Sequence, residues 1–254
     1  MRIRLYIGLF LLKVSYYLRR LYLVILTPRD LIESNKLQYT RNEYIRNFGN
    51  AVPVLLPEEK KIIEKYKIIG GKFLVLGCGG GREAIALAKA GFEVVGVDFI
   101  EGMVDVARRN AKERGLNLVF ETQDISRISF PKFSFDYAGI FSGTYSSIPT
   151  YNLRIKFLKK LRDILKPNGL FILTFLSKKE LTPTYRTSLL KAIGYLTLGN
   201  LGYQAGDELK GEYEFLHYFY NKDEAVMELK ASGFKIEEIY LDDDTIGYVI
   251  ARPR

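Results

Sequence analysis

The chain has 254 residues, 48% of them apolar, so it is long and apolar enough to bury a substantial core. Its formal net charge of +9 is compatible with nucleic acid, anionic lipid or a small anionic ligand, and does not choose among them. The single cysteine, Cys78, excludes an internal disulfide, and the single histidine, His217, leaves no Cys- or His-rich metal site. We therefore expect no bound metal and a cytoplasmic location.

Residues 1–38 are predicted to form an amphipathic helical segment ahead of the main domain. The longest uncharged apolar run, Leu5 to Leu12, is far shorter than the roughly 20 residues that span a bilayer. Three basic residues fall on one line of a helix whose remaining surface is apolar: Arg2, Lys13 and Arg20. Three interpretations stay open for residues 1–26. They are packing on the domain or on a second protomer in a homodimer, peripheral binding to an anionic membrane surface at the inner face, and a spanning anchor.

The stretch from Phe73 to Asp98 predicts a buried strand, a glycine-rich turn, an alanine-rich helix and a second buried strand. The turn, 77–81, has the spacing Gly-x-Gly-x-Gly. A dinucleotide fingerprint would need Gly-x-Gly-x-x-Gly, and the position of its third glycine is occupied by Arg82. The spacing therefore disfavours a nicotinamide dinucleotide. Asp98 ends the second strand, where its carboxylate can accept hydrogen bonds from both hydroxyls of a ribose.

The words LGCGGG and VVGVD resemble motif I and the following acidic strand end of class I S-adenosylmethionine-dependent methyltransferases of the small-molecule type. A later word, LRDILKPNGLFILTF, is similar to the helix, turn and strand of the same family. The resemblance covers roughly residues 39–252. It implies a Rossmann-like α/β fold over 39–254, with a seven-stranded, mostly parallel sheet, an antiparallel last strand, helices on both faces and additional N-terminal helices.

The resemblance also implies the cofactor S-adenosylmethionine, with S-adenosylhomocysteine as product. In the family, an acid after the third strand holds the adenine amino group, and Asp124 matches that position; a helix N-cap is the alternative explanation for it. One departure is Val75, where the family often has an acid two residues before its first motif glycine. The expected cofactor-binding residues are Gly77, Cys78, Gly79, Gly81, Asp98, Phe99, Gln123, Asp124, Ile125 and Phe141.

The acceptor is expected to lie against the loop after the fourth strand and against 177–221, a region that forms a substrate cap in similar enzymes. The residues expected to line its pocket are Tyr39, Ser142, Tyr145 and His217. Two of these, Tyr145 and His217, are also the candidates for a catalytic base. For His217 and Tyr39 the alternative is a packing role, which is common for a histidine or tyrosine among other aromatic residues.

Three function classes remain open. A methyltransferase acting on a small-molecule or lipid-like acceptor is favoured, because no separate RNA-binding module is visible. An RNA methyltransferase is the alternative, since the positive charge suits phosphate contacts. A non-catalytic cofactor-binding protein or a dinucleotide oxidoreductase is third. Nucleic acid is not favoured as a partner, because the positive charge is densest in the N-terminal segment.

Overall fold

The structure is a computed structural model that describes residues 2–49, 52–178, 185–242 and 245–254. The helices are α1 (Arg2–Ile25), α2 (Pro28–Tyr39), α3 (Asn42–Gly49), α4 (Pro57–Lys65), α5 (Arg82–Lys89), α6 (Glu101–Lys112), α7 (Tyr151–Ile164), α8 (Tyr185–Thr197) and α9 (Lys222–Ala231). The strands are β1 (Lys72–Leu76), β2 (Glu93–Asp98), β3 (Val119–Thr122), β4 (Phe135–Ile140), β5 (Leu165–Leu176), β6 (Asp207–Lys210), β7 (Glu214–His217), β8 (Phe234–Asp242) and β9 (Ile246–Pro253).

Seven strands form one sheet in the order β3-β2-β1-β4-β5-β9-β8. The pairs from β3 to β5 are parallel, whereas β9 runs antiparallel to both of its neighbours. The chain order reverses between β1 and β4, which is the topological switch point where open α/β sheets bind ligands. The predicted fold class, a mostly parallel seven-stranded sheet with an antiparallel last strand, is confirmed.

Two apolar cores lie on the two faces of this sheet, because successive side chains of a strand point to opposite faces. On β1, Leu74 and Leu76 face a core shared with α7 and α9, and Phe73 and Val75 face the core shared with α4, α5 and α6. Burial on both faces explains why the central strands read as apolar runs in the sequence. The two cores fix the strand ends that carry the cavity.

A third apolar cluster lies beside the N-terminal helices α1 and α2. The two-stranded antiparallel hairpin β6–β7 packs there against the end of α1, the start of α2 and the inner face of α8. The fully buried members of this cluster are Leu23, Val24, Leu31, Tyr203 and Phe215. Of the expected cap, 177–221, residues 179–184 lie outside the described residues.

Helix α1 has 24 residues, yet among the helices of the described ranges none is both long and apolar enough to cross a membrane. Its basic residues interrupt the apolar stretch, as the sequence indicates. Helix α2 begins directly after it at a capping box, in which Thr27 Oγ1 accepts a hydrogen bond from the Asp30 N–H and the Thr27 N–H donates to the Asp30 carboxylate. The short turn between the two helices therefore has a defined geometry.

Candidate functional site

A cavity of about 540 Å³ opens at the carboxyl ends of β1, β2, β4 and β5. Its floor is the loop after β1 and the residues that follow β2, β3 and β4. Its roof is formed by α2, α3 and the β6–β7 hairpin. The roof is held in place by Asn35 of α2, whose amide donates to the carbonyls of Ser147 and Phe215 and accepts from the Phe215 N–H. Helix α2, the loop after β4 and the hairpin thus form one connected wall.

The glycine-rich loop provides a cradle in which main chain faces the cavity. Gly77 has φ +68° and a Cβ there would lie 2.6 Å from Thr144 Cγ2, so only glycine fits. Gly79 has φ +48° and a Cβ on it would meet no atom within 4 Å, so its main chain borders open cavity. The Gly79 N–H donates to Asp98 Oδ2 at 2.9 Å, and the Ile100 N–H donates to Asp98 Oδ1 at 3.0 Å. The buried Asp98 carboxylate is therefore fixed beside the loop.

Nine of the predicted site residues line this cavity: Tyr39, Gly77, Cys78, Gly79, Asp98, Phe99, Asp124, Ile125 and Ser142. Asp124 also caps the short 3-10 helix Ile125–Arg127, since its Oδ1 accepts from the Ser126 N–H at 2.8 Å. Asp124 therefore both caps this short helix and lines the cavity. Burial raises the pKa of the Asp98 carboxyl, and hydrogen bonds from the Ile100 and Gly79 N–H groups act in the opposite direction.

Three residues predicted to bind the cofactor lie outside the lining. The Gln123 side chain is engaged at both ends, donating to Glu121 at 2.6 Å and accepting from the Ser129 N–H at 3.0 Å. Phe141 is buried against Phe73. Gly81, at φ +89°, is the N-cap residue of α5, and its α-carbon faces Ala107, Ile85 and Phe120. These three residues shape the walls behind the cavity.

Aromatic residues of α2 and α3 cover the end of the cavity that holds Asp98. Tyr39 lies 4.8 Å from Tyr44 and 5.8 Å from Phe99, centroid to centroid. The Tyr39 hydroxyl donates to Glu214 Oε1 of β7 at 2.9 Å. Burial, with the nearby Glu214 carboxylate, holds the pKa of both tyrosines well above its usual value, so both stay neutral. Tyr39 therefore joins the hairpin to the aromatic cover and also lines the cavity.

The start of α5 brings a charged cluster to the cavity wall that the sequence interpretation missed. Arg82 pairs with the buried carboxylates of both Glu59 and Glu83, and it also donates to Ser142 Oγ at 3.3 Å. One guanidinium thus serves two buried carboxylates. Burial raises the pKa of Glu83 to about 7; the Arg82 charge lowers it and the Glu59 charge raises it. A cationic ligand group would balance this cluster. In the sequence, this cluster is indicated by two adjacent charged residues directly after the glycine turn, at the start of a helix whose next residues are apolar.

The structure does not place Tyr145 on the cavity, where it was predicted to line the pocket or act as a base. Its side chain is fully buried behind the loop after β4, and its hydroxyl donates to Glu228 Oε2 of α9 at 2.6 Å. The same carboxylate receives hydrogen bonds at 2.7 to 3.0 Å from Arg154, which is itself completely buried. Burial and the Glu228 charge raise the pKa of Tyr145 well above its usual range. The residue fixes the loop and does not reach the cavity.

His217, predicted as a pocket residue and candidate base, is also placed away from the cavity. The ring is buried at the end of β7, with Nδ1 2.8 Å from Asp207 Oδ1 and Nε2 3.5 Å from Glu224 Oε1. Burial and the Arg154 charge oppose protonation, but the two carboxylates outweigh them and the pKa of His217 is raised. His217 does not line the cavity. It joins the hairpin to α9.

The residues at the cavity fit the expected cofactor. S-adenosylmethionine carries a ribose diol, an adenine amino group and an amino-acid end with a cationic ammonium. The cavity offers the Asp98 carboxylate beside the glycine cradle, the Asp124 carboxylate one strand away, and the Glu83 carboxylate in the first turn of α5. Carboxylates are the acceptors that such hydroxyl and ammonium donors require.

Comparison with known proteins gives a family for the central part of the chain. Residues 73–169 match a family model described as a methyltransferase domain. A ubiquinone biosynthesis O-methyltransferase of Coxiella burnetii (strain RSA 493 / Nine Mile phase I) is 40% identical over 81 residues, which are 32% of this chain and 35% of that protein. The protein of the same name from Histophilus somni (strain 2336) is 26% identical over 155 residues, 59% of this chain and 56% of the relative. The chain thus spans about a third to a half of these relatives.

Solved structures share the fold over most of the chain. A methyltransferase described as S-adenosylmethionine-dependent, from Methanosarcina mazei, has a TM-score of 0.62 at 23% identity and covers 79% of this chain and 98% of that one. The PH0226 protein of Pyrococcus horikoshii has a TM-score of 0.59 at 26% identity, covering 84% and 100%. The [4+2]-cyclase SpnF has a TM-score of 0.63 at 15% identity, covering 85% and 94%. One fold therefore serves proteins with different described activities.

Proposed function

We propose that this chain, which belongs to the class I S-adenosylmethionine-dependent methyltransferases, transfers a methyl group from S-adenosylmethionine to a small-molecule or lipid-like acceptor. The observation that carries the proposal is the pairing of Asp98 with Gly79 at the carboxyl ends of β2 and β1. It puts a buried carboxylate next to exposed main chain in one cavity, at the switch point of the sheet.

Each part of the cofactor has a residue to hold it. Asp98 accepts hydrogen bonds from the ribose hydroxyls, and Asp124 accepts from the adenine amino group, with Ile125 and Phe99 as apolar neighbours. Glu83 binds the ammonium at the amino-acid end. This replaces the carboxylate that the family often has at the position of Val75, which is buried in β1 and faces the core. The main chain of Gly77, Cys78 and Gly79 forms the remaining wall.

The cofactor supplies an activated methyl group on a sulfonium, so the chain's own task is to orient the acceptor and exclude water. The roof formed by α2 and the β6–β7 hairpin serves both purposes, because Asn35 joins it to the loop after β4. The part of the lining on this side includes four aliphatic side chains, Ile32, Ile148, Leu176 and Leu216. An acceptor with an apolar portion suits these walls. The O-methyltransferase names of the relatives support an oxygen as the receiving atom.

The N-terminal helix supplies a second partner, an anionic membrane surface. Helix α1 carries a series of exposed apolar side chains together with Arg4, Lys13, Arg19 and Arg20. A basic helix of this kind lies in the headgroup region of a bilayer and does not cross it. The proposed membrane surface is the inner face of the membrane. The chain is then a cytoplasmic protein that associates with this surface through α1.

The experiment is a methyl-transfer assay with S-adenosylmethionine labelled in its methyl group. The protein is incubated with three fractions of a cell extract: aqueous metabolites, organic-phase lipids and RNA. We expect label in the metabolite or lipid fraction, and less of it after replacement of Asp98 by Asn when the cofactor is below saturation. Label in RNA alone would contradict the proposed acceptor class. Absence of label from all three fractions, in a protein that also fails to bind S-adenosylhomocysteine, would contradict the activity itself.

A further inference from the structure

The outer side of α1 exposes large apolar side chains along most of its length. Leu12 is 68% exposed and Phe10 is 64% exposed, and Ile3, Leu5, Tyr6, Ile7, Leu9, Leu11 and Leu18 are exposed as well. Only the last turns of the helix, around Leu23 and Val24, are buried in the domain. Such a surface is far more apolar than a protein in water ordinarily presents.

Helix α8 and the turn after it add to this surface from a distant part of the sequence. Leu196 is 85% exposed and Leu198 is 79% exposed, with Leu189, Tyr195 and Leu201 exposed beside them. The two regions are held together, because Leu190 and Ile193 of α8 pack in the same cluster as the end of α1, and the Asn200 N–H donates to the Val24 carbonyl at 2.9 Å. We call α1, α8 and residues 198–201 the apolar platform.

Charge identifies what the platform binds. Residues 2–26 and 185–201 contain no Asp or Glu, whereas they contain seven basic residues: Arg2, Arg4, Lys13, Arg19, Arg20, Arg186 and Lys191. Seven of the nine net positive charges of the chain therefore belong to these two segments. A second copy docked by the same surface would bring like charges together. Anionic lipid headgroups complement them, and each Lys or Arg near such a surface contributes about 1 kcal/mol.

The wall behind the platform is also the wall of the cavity. In the β6–β7 hairpin, Leu209 and Phe215 pack in the cluster with α1, whereas Lys210, Glu214 and Leu216 line the cavity. Helix α2 is divided in the same way, since Leu31 packs in the cluster and Ile32 lines the cavity. A single layer of chain therefore separates the exposed apolar surface from the acceptor side of the site.

We infer that the apolar platform docks on an anionic bilayer and that the acceptor is an amphiphile dissolved in that bilayer, which enters the cavity beside the β6–β7 hairpin. The inference rests on the proposed methyltransferase function and adds the substrate class. An amphiphile has an apolar portion for the walls formed by Ile32, Ile148, Leu176 and Leu216, and a polar head that carries the receiving atom.

The docking surface is tested with single tryptophans, since the chain has none of its own. Leu12→Trp reports on α1, Leu196→Trp on α8, and Met227→Trp, an exposed position on α9, is the matched control. With vesicles of phosphatidylglycerol and phosphatidylcholine, we expect a blue shift of emission for the first two variants and none for the control. The shift should disappear with pure phosphatidylcholine. The inference would be overturned if the emission of Leu196→Trp did not shift with anionic vesicles. It would also be overturned if light scattering showed a dimer and no binding to vesicles.

The acceptor class is tested with a platform variant, Leu196→Glu together with Leu198→Glu, which leaves the cavity residues unchanged. Lipids extracted from cells are reconstituted in vesicles of the same composition and offered with labelled S-adenosylmethionine. We expect at least a tenfold lower methyl transfer to the lipid by the variant, with unchanged binding of S-adenosylhomocysteine by calorimetry. Equal transfer by the two proteins, or no transfer to the vesicle lipid by an unmodified protein that binds S-adenosylhomocysteine, would overturn the acceptor class. If the unmodified protein did not bind S-adenosylhomocysteine, this result would instead contradict the proposed function.

Discussion

Two carboxylates at the cavity, Asp98 and Glu83, differ in what already satisfies them. Asp98 accepts hydrogen bonds from two main-chain N–H groups, one on each oxygen. Glu83 shares the guanidinium of Arg82 with Glu59, so the cluster carries two acids for one base. An uncompensated buried charge is costly, and a bound ammonium removes that cost. Glu83 is therefore the residue of the cavity that gains most from a cationic ligand.

The first prediction concerns Glu83→Gln. We expect this variant to bind S-adenosylhomocysteine about ten to a hundred times more weakly, because a charge-assisted hydrogen bond contributes about 1.5 to 3 kcal/mol. It should bind 5′-methylthioadenosine, which lacks the amino-acid end, as well as the unmodified protein does. Calorimetry with the two ligands makes the comparison, and Glu93→Gln, at the exposed start of β2, is the control.

The same variant should change the pH dependence of binding. The pKa of Glu83 is raised to about 7, so the carboxylate becomes ionised as pH rises through neutrality, and an ammonium favours the ionised form. Affinity for S-adenosylhomocysteine should therefore increase between pH 6 and pH 8 in the unmodified protein. The increase should be absent in Glu83→Gln. Equal weakening for both ligands, or an unchanged pH profile, would contradict the role of Glu83.

The predicted site residues that line the cavity and those that do not differ in a physical way. Asp98 ends one strand of the parallel part of the sheet and Asp124 follows another, and the sheet itself brings such positions to one edge. Tyr145 and His217 were predicted from their chemical type and from their places in the loop after the fourth strand and in 177–221. Their partners are Glu228 and Asp207, and which carboxylate neutralises or accepts from a buried group depends on packing between distant elements. Local sequence patterns do not contain that information.

At the scale of elements, a buried polar network joins the loop after β4 to α7, α9 and the segment before β6. Its centre is Arg154 of α7, which binds Glu228 of α9 through several hydrogen bonds. Arg154 also donates to Gln204 at 2.6 Å and to the Ile148 carbonyl at 3.3 Å. The network therefore fixes the loop that forms the cavity floor relative to the segment that leads into the roof.

The second prediction is that Arg154→Met lowers the free energy of unfolding by about 3 to 5 kcal/mol. The reason is that the substitution leaves the buried Glu228 carboxylate without its cation, which is the costly way to break a buried pair. Urea unfolding followed by circular dichroism measures the change. Lys60→Met, which removes an exposed pair with Glu64, should cost less than about 1 kcal/mol. A cost for Arg154→Met as small as that of Lys60→Met would contradict this account of the network.

The hairpin β6–β7 is the element that sequence patterns did not predict. Its strands have four residues each, Asp207–Lys210 and Glu214–His217, and neither shows a clear alternation of apolar and polar residues. One face packs in the cluster with α1 through Leu209 and Phe215, and the other lines the cavity with Lys210, Glu214 and Leu216. Because the cavity face carries both polar and apolar residues, the strands do not alternate between apolar and polar positions. The central strands were predictable because burial on both faces makes them uniformly apolar.

At the scale of the whole molecule, net positive charge and exposed apolar surface are concentrated in the apolar platform. The apolar platform and the cavity share the layer formed by α2 and the β6–β7 hairpin, whereas the two main cores lie on the faces of the large sheet. The resemblance in the sequence covered the sheet and the glycine loop, and the family model matches residues 73–169 of that region. The arrangement of α8 next to α1 could not be predicted, because it brings together segments far apart in the chain.

The central claim is that the cavity binds S-adenosylmethionine through Asp98 and the glycine loop. Calorimetry with S-adenosylhomocysteine and NAD, on the unmodified protein and on Asp98→Asn, tests it most directly. We expect saturable binding of S-adenosylhomocysteine and no binding of NAD. Asp98→Asn should weaken the binding by about 1 to 3 kcal/mol, the cost of losing charge-assisted hydrogen bonds to the ribose. Binding of NAD with none of S-adenosylhomocysteine, or an Asp98→Asn variant with unchanged affinity, would contradict the claim.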